Sequence, residues 1–240
     1  MANAFVDKLS GYAALTADDR AALAKVCEGA RPVAGRYDLI REGDKPGTVF
    51  ILLEGWACRY KLLPEGGRQI MAVLMPGDFS DTHVAVLDEM DHSIATLTPA
   101  RVASVQRAEM EALIASSMLI TNAFWWSQLV DEGTLRAWIV SMGRRGSVER
   151  VAHLMCEIYV RAQHIGLVQG PQIEFPLTQI VLADALGLTP VHVNRVLRTL
   201  RMAGVVQIGR GTLTITDPDK LVQIAGFDDN YLHRRLKLAA

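Results

Sequence analysis

In the stretch from Gly187 to Leu200, "GLTPVHVNRVLRTL", Arg195 and Arg198 lie three positions apart, with His192 and Asn194 close by. A guanidinium presents forked donors that match the edge of a guanine or the oxygens of a phosphate. At about 100° per residue, Val191, Arg195, Arg198 and Met202 fall on one side of a helix. Val193, Val196, Leu197 and Leu200 fall on the other side, and His192, Asn194 and Thr199 at the edges. The outward face is therefore basic at its centre. Arg195 is expected to read a base and Arg198 to hold a phosphate, with Val191 placed to touch a thymine methyl. The competing reading is a solvated basic face on a helical hairpin of some other domain. A second group follows "MPGDF" (Met75 to Phe79): Asp81, Thr82, His83, His92 and Ser93. Carboxylate and imidazole ligate metals. No ligand-spacing motif accompanies them, so they read first as polar residues on a β surface, and no metal is expected.

The basic face needs a particular scaffold, and the flanking residues supply one. Thr178 reads as the N-cap of a helix from Gln179 to Leu186, Gly187 as the residue that allows the turn, and Thr189 as the N-cap of a second helix with Pro190 at its first position. Thr178, Gln179 and Thr189 are then placed to meet phosphates. "GVVQIGRGTLTITDP" gives two alternating runs, Val205 to Ile208 and Thr212 to Thr216, around Gly209-Arg210-Gly211. That is a two-stranded wing with Arg210 at its tip.

Upstream the texture differs. Thr16 with Asp19 three residues later starts a helix from about Ala17 to Glu28. From about Val33 to Val105, short apolar runs alternate with Gly and Pro turns, which predicts a β sandwich or roll. After Arg107 the pattern is helical to about Met142. Leu119, Ala123, Trp126, Val130, Gly133, Ala137 and Val140 recur on one face as a seam for self-association, against the plainer alternative that the helix packs on its own β domain. "MGRRGSVER", Met142 to Arg150, reads as a hinge. The division expected is 1–116 for an N-terminal helix and β roll, 117–143 for a dimerisation helix and hinge, and 144–240 for the winged helix-turn-helix. The fold class is thus α+β.

Half of the 240 residues are hydrophobic, enough for an adequate core, and the net charge is −1. The charge is unevenly spread, with 13 Lys+Arg against 18 Asp+Glu in residues 1–143, and 12 against 8 in residues 144–240. A nucleic-acid surface is therefore expected in the basic second part. Cys27, Cys58 and Cys156 are isolated and odd in number, no leader pattern opens the chain, and no apolar run approaches a membrane span, so a cytoplasmic location without membrane contact is expected.

Taken together, "EGD", "FILLEG", "MPGDF" and "LADALGLTPVHVNRVLRTLRMAGVV" resemble, in that order, the Crp/Fnr superfamily of bacterial transcription regulators over nearly the whole length. The resemblance implies a cyclic-nucleotide-binding-like β roll, a long dimer helix and a C-terminal winged helix-turn-helix. It also implies a homodimer on palindromic double-stranded DNA, recognition helices in successive major grooves about 34 Å apart, RNA polymerase as a partner, and a small-molecule effector or none. Arg195 matches the family's recognition-helix arginine. Pro190 and Val191 stand where many members carry polar readers, and Ile180 and Val181 also replace residues that are commonly polar. Members that bind cyclic nucleotides carry Gly-Glu and then Arg-Ser after the "GDF" run. Here Asp81 and Thr82 stand at the first pair and His92 and Ser93 at the second. A mostly neutral imidazole cannot make arginine's bidentate phosphate contact, and Asp81 adds a repelling charge, which argues against cyclic AMP or cyclic GMP. An effector pocket, if one exists, is expected around Gly77, Asp78, Phe79, Asp81, Thr82, His83, His92 and Ser93, with no cofactor. The four-cysteine cluster of oxygen-sensing relatives is missing. A signalling adaptor that has lost DNA recognition is the alternative favoured by Pro190 and Val191 and opposed by Arg195, Arg198 and Arg210. No catalytic motif is present, so an enzyme is not expected.

Overall fold

The computed structural model describes residues 3–82, 88–168 and 170–233. The chain divides into two compact units, residues 1–129 and 130–240, with the boundary inside one long helix.

The first unit begins with two short helices, α1 (Ala4–Ser10) and α2 (Ala17–Lys25). The Thr16 hydroxyl accepts the Asp19 amide at 3.1 Å while the Asp19 carboxylate accepts the Thr16 amide at 2.9 Å, so the capping box read from the sequence forms. Among the described residues seven antiparallel strands follow in two sheets: β1 (Arg31–Val33), β2 (Asp38–Ile40), β3 (Thr48–Glu54), β4 (Ala57–Leu62), β5 (Arg68–Leu74), β6 (Ser93–Thr96) and β7 (Ala100–Gln106). One sheet has the order β1-β7-β3 and the other β2-β6-β4-β5. Register follows the apolar alternation, with Val49 opposite Val105 and Ile51 opposite Ala103 on the β3–β7 pair. Leu52, Ala57, Leu74, Ile94, Ala100 and Val102 fill the space between the sheets. The other face of β3 and β7 packs on the helices through Phe5, Leu9, Ile51, Val105 and Met110.

Two helices leave the roll, α3 (Arg107–Ala115) and the long α4 (Met118–Arg144). The continuous helical run expected from Arg107 is broken at Ser116, whose hydroxyl donates to the Leu113 carbonyl at 2.7 Å and ends α3. The expected hinge is also shorter than its Gly-rich composition suggests. Helix α4 runs to Arg144 and α5 (Ser147–His164) starts at Ser147, with the Glu149 carboxylate accepting the Gly146 amide at 3.1 Å.

The second unit holds α5, then β8 (Gln172–Glu174), α6 (Gln179–Leu186), α7 (Pro190–Met202), β9 (Val206–Ile208), β10 (Thr212–Ile215), α8 (Pro218–Ala225) and a 3₁₀ turn at Asp229–Leu232. The three strands form one antiparallel sheet in the order β8-β10-β9, so the expected two-stranded wing gains a third strand from the "QIE" segment. Among the described residues no single helix is long and apolar enough to cross a membrane.

Candidate nucleic-acid interface and effector pocket

The helix pair forms where the local residues direct it. The Thr178 hydroxyl accepts the Val181 amide at 3.3 Å and the Thr189 hydroxyl accepts the His192 amide at 3.2 Å, each relieving an orphan donor of a first turn. Gly187 closes α6 in the left-handed region at φ 62°, a conformation that would strain any residue bearing a Cβ. Helices α6 and α7 are bent by 102° to each other, within the range of a helix-turn-helix. On α7, Val193, Val196, Leu197 and Leu200 are buried. Each contributes roughly 2 kcal/mol of apolar burial that fixes which face turns outward.

That outward face carries Val191, 73% exposed, then Arg195, Arg198 and Met202, with Asn194 exposed and His192 half-buried beside them. Pro190 is exposed at the first helical position. Among the described residues Arg195, Arg198 and Arg210 are in no ion pair, so their donors point outward without an internal carboxylate. Arg210 is exposed between β9 and β10. Thr178, Gln179 and Thr189 are also exposed. The residues expected at a DNA surface are thus on the exposed sides of α6, α7 and the wing. Ile180 is exposed and Val181 buried, which makes Val181 a core residue and leaves Ile180 as a surface apolar side chain that nothing in the structure explains.

In the first unit, several of the residues expected to line an effector pocket have structural duties. Gly77 lies at φ 90° with its Cα facing the Ala4 carbonyl, which a Cβ would approach at 2.5 Å. The Asp78 carboxylate accepts the Met75 amide at 2.6 Å and pairs with Lys8 at 2.6 Å. The Phe79 ring packs on Phe124 at 5.0 Å and Phe5 at 5.7 Å. The Ser93 hydroxyl accepts the Glu42 amide at 2.9 Å. These four hold the roll together. Thr82 is half-buried, and His83 lies outside the described residues.

Asp81 and His92 do converge, together with a residue that the sequence did not suggest. Asp81 Oδ1 is 3.3 Å from the Arg59 guanidinium, and Asp81 Oδ2 is 3.1 Å from His92 Nε2. The second contact is an ion-pair approach off the axis of a hydrogen bond, since neither atom meets hydrogen-bond geometry. His92 Nδ1 is 2.7 Å from Asp91. Burial works against the Asp81 charge, but the Arg59 charge and the His92 contact hold its carboxyl at about 2. Burial likewise opposes the charged His92, yet Asp81 and Asp91 raise its pKa above the ordinary value. Expected as a charge that would repel a phosphate, Asp81 is in fact the carboxylate that neutralises Arg59. Arg59 escaped notice because β4 brings it to this place from 22 residues away. Beside this cluster, the space between the sheets narrows to a cavity of ≈ 10 Å³ lined by Phe50, Leu52, Phe79 and Ile94, about the room of a single water.

The seam expected on α4 requires correction. Ala123 and Leu119 pack into the core of the first unit, Val130 is buried, and Gly133 faces the backbone of Tyr231. Trp126 and Ala137 are half-buried, and only Val140 of the seven is exposed. Met118, Trp125, Leu129, Leu135 and Ile139 are exposed instead, with Trp125 at 64% and Ile139 at 67%. Their face is rotated about a third of a turn from the expected one. Both stripes recur at helical spacing, and only packing identifies the inward one. Helix α4 therefore follows the plainer alternative on one face and leaves a second apolar face uncovered.

All three cysteines are buried thiols, and burial pushes Cys156 up to about 12. Among the described residues no group of three or more His, Cys, Asp or Glu side chains is arranged to hold a metal ion.

Comparison with known proteins agrees with this geometry. Residues 34–117 match the cyclic nucleotide-binding domain model and residues 149–224 match the Crp-like helix-turn-helix domain model. The chain is 26% identical to the transcriptional activator protein FnrL of Cereibacter sphaeroides over 80% of its length and 78% of that protein. It is also 26% identical to the nitrogen fixation regulation protein FixK of Bradyrhizobium diazoefficiens, over 77% of its own length and 76% of the relative. Its fold is similar to the structure of FixK2 from Bradyrhizobium japonicum, with a TM-score of 0.72 at 21% identity, covering 83% of this chain and 98% of that one.

Proposed function

We propose, for a chain that belongs to the Crp/Fnr superfamily of bacterial transcription regulators, that two copies join along α4 and set their α7 helices into a palindromic operator. The protein is a DNA-binding transcription regulator and not an enzyme. The observation that carries the finer reading is the outward face of α7, where Arg195 and Arg198 are exposed and paired with no carboxylate among the described residues. Arg195 reads guanine bidentately, a contact worth about 1–3 kcal/mol of discrimination, and Asn194 is the candidate for adenine. Arg198 and Arg210 hold phosphates, helped by Thr178, Gln179, Thr189 and His192 at the two first turns. Val191, four residues before Arg195, lies about 6 Å away along the helix axis. Its apolar tip suits a thymine methyl about two base steps from that guanine.

The exposed stripe of Met118, Trp125, Leu129 and Ile139 supports the dimer, because a C₂ interface buries the same patch on both copies. In the sensor roll, Arg59 already has an internal carboxylate in Asp81, and this supports a regulator that binds DNA without cyclic nucleotide. RNA polymerase is the expected protein partner of the DNA-bound dimer.

Selection of bacterial genomic fragments by the purified protein, with no ligand added and near-physiological salt, tests the reading. Enrichment of a palindrome with half-sites about one helical turn apart is expected. Arg195→Ala is expected to weaken binding to that site about 10-fold or more while affecting random DNA far less. Equal losses on both remove Arg195 as a base reader. Absence of any enriched sequence favours the adaptor reading.

A further inference from the structure

Glu157 on α5 is fully buried, and its carboxylate ties three elements together. It accepts the indole N–H of Trp138 on α4 at 3.0 Å and the hydroxyl of Tyr231 at 3.0 Å, and it lies 3.4 Å from Arg161 on its own helix. Tyr231 belongs to the 3₁₀ turn after α8. Its ring stacks on His153 at 5.9 Å and 14°, and Phe227 meets the same imidazole edge-on at 5.0 Å. The backbone takes part as well, since a Cβ on Gly133 would stand 2.5 Å from the Tyr231 carbonyl oxygen. The 3₁₀ turn lies flat against α4 where glycine alone leaves room. Arg150 fastens the hinge side, donating to the carbonyls of Leu186 at 2.6 Å and of Met142 and Arg145 at 3.1 Å each. Helix α7 packs on the same α5 that carries Glu157.

We propose that Tyr231 and Glu157 are positioning residues that clamp the DNA-reading helices to the C-terminal half of α4, and that this clamp fixes the distance between half-sites the protein accepts. The inference rests on the dimeric reading above. Removing or inserting one base pair between half-sites moves the second by about 3.4 Å and turns it by roughly 35°. A clamped pair of recognition helices cannot follow that change and loses the second half-site with its avidity, whereas a loosened pair keeps both. Glu157 and Tyr231 touch no DNA in this scheme. They act on where Arg195 is carried.

The experiment uses the full chain and operators whose spacer is natural, one base pair longer or one shorter, together with a single half-site. For the wild type a drop of about 10-fold is expected on either altered spacer. Tyr231→Phe, which removes only the hydroxyl, and Gly133→Ala, which pushes the turn off α4, are expected to shrink the drop to less than about 3-fold. Both are expected to bind the single half-site as the wild type does. Glu157→Gln, whose amide oxygen still accepts from Tyr231, is expected to keep most of the discrimination. Tyr231→Phe and Gly133→Ala proteins that retain the wild-type spacer preference overturn the clamp, as do the same variants if they lose single-half-site binding in step with the palindrome, or a Glu157→Gln protein that loses the preference although its amide oxygen still accepts from Tyr231. A wild type without spacer preference also overturns it, and its solution mass then tells whether the dimer reading fails too, since a monomer would bind every spacer alike.

Discussion

At the scale of single residues, burial rather than exposure makes His153 informative. It is 3% exposed, and burial, with a smaller push from Arg145, lowers its pKa to about 4 from an ordinary 6.5. Because the folded value lies below the unfolded one, the fold prefers neutral imidazole. That stability is fully present above pH 6.5 and is lost as pH falls towards 4. The difference corresponds to at most about 3 kcal/mol. Chemical denaturation of the second unit is therefore expected to show falling stability between pH 6.5 and 4, and His153→Phe is expected to flatten that dependence. An unchanged slope in the variant removes His153 as its source. Glu157 works in the opposite sense. Burial raises its carboxyl, so its contribution is present at low pH and lost as pH rises through the raised value. Asp81 belongs to the first unit, and its contribution is lost lower still, between its usual 3.8 and about 2.

At the scale of elements, legibility in the sequence tracked how local the cause was. Helix α7 and the turn before it were readable because Thr178, Gly187, Thr189 and Pro190 act within four residues of what they control, and the apolar residues left one choice of inward face. Helix α4 carries two apolar stripes, so the choice between them depended on the roll and on the strap through Tyr231, neither of which helical periodicity contains. The meeting of Arg59 with Asp81 was hidden for a related reason, since it depends on the segment after β5, where Phe79 bridges to Ile51 of β3 and its carbonyl accepts from the Arg59 guanidinium at 3.1 Å. The exposed stripe has its own consequence. Trp125→Ala and Ile139→Ala each remove a side chain twice in a symmetric dimer, roughly 2 kcal/mol per copy or more. The two copies together lose roughly 4 kcal/mol, so sedimentation is expected to show dimer affinity on the order of 1000-fold weaker, with the thermal midpoint of the roll little changed. A dimer that resists both substitutions would place the interface elsewhere.

At the scale of the whole molecule, the charge is divided, with an excess of acid through residue 143 and 12 Lys+Arg against 8 Asp+Glu beyond it. Net charge alone, at −1, conceals a protein built to approach a polyanion with one part and not the other. If Arg198 and Arg210 are the arginines that hold phosphate, a dimer neutralises four phosphates through them. Each releases condensed counterions, so the logarithm of operator affinity against the logarithm of salt concentration is expected to slope at about −4. Arg210→Ala deletes the contact from both wings and is expected to make the slope shallower by about 2 while leaving the preferred sequence as it was. Arg195→Ala is expected to act the other way, changing the sequence preference and leaving the slope nearly intact, because a base contact releases few counterions. An Arg210→Ala protein with an unchanged slope would take the wing tip off the phosphate backbone. A flat slope for the wild type would mean that the basic second unit meets DNA, if at all, by some other face.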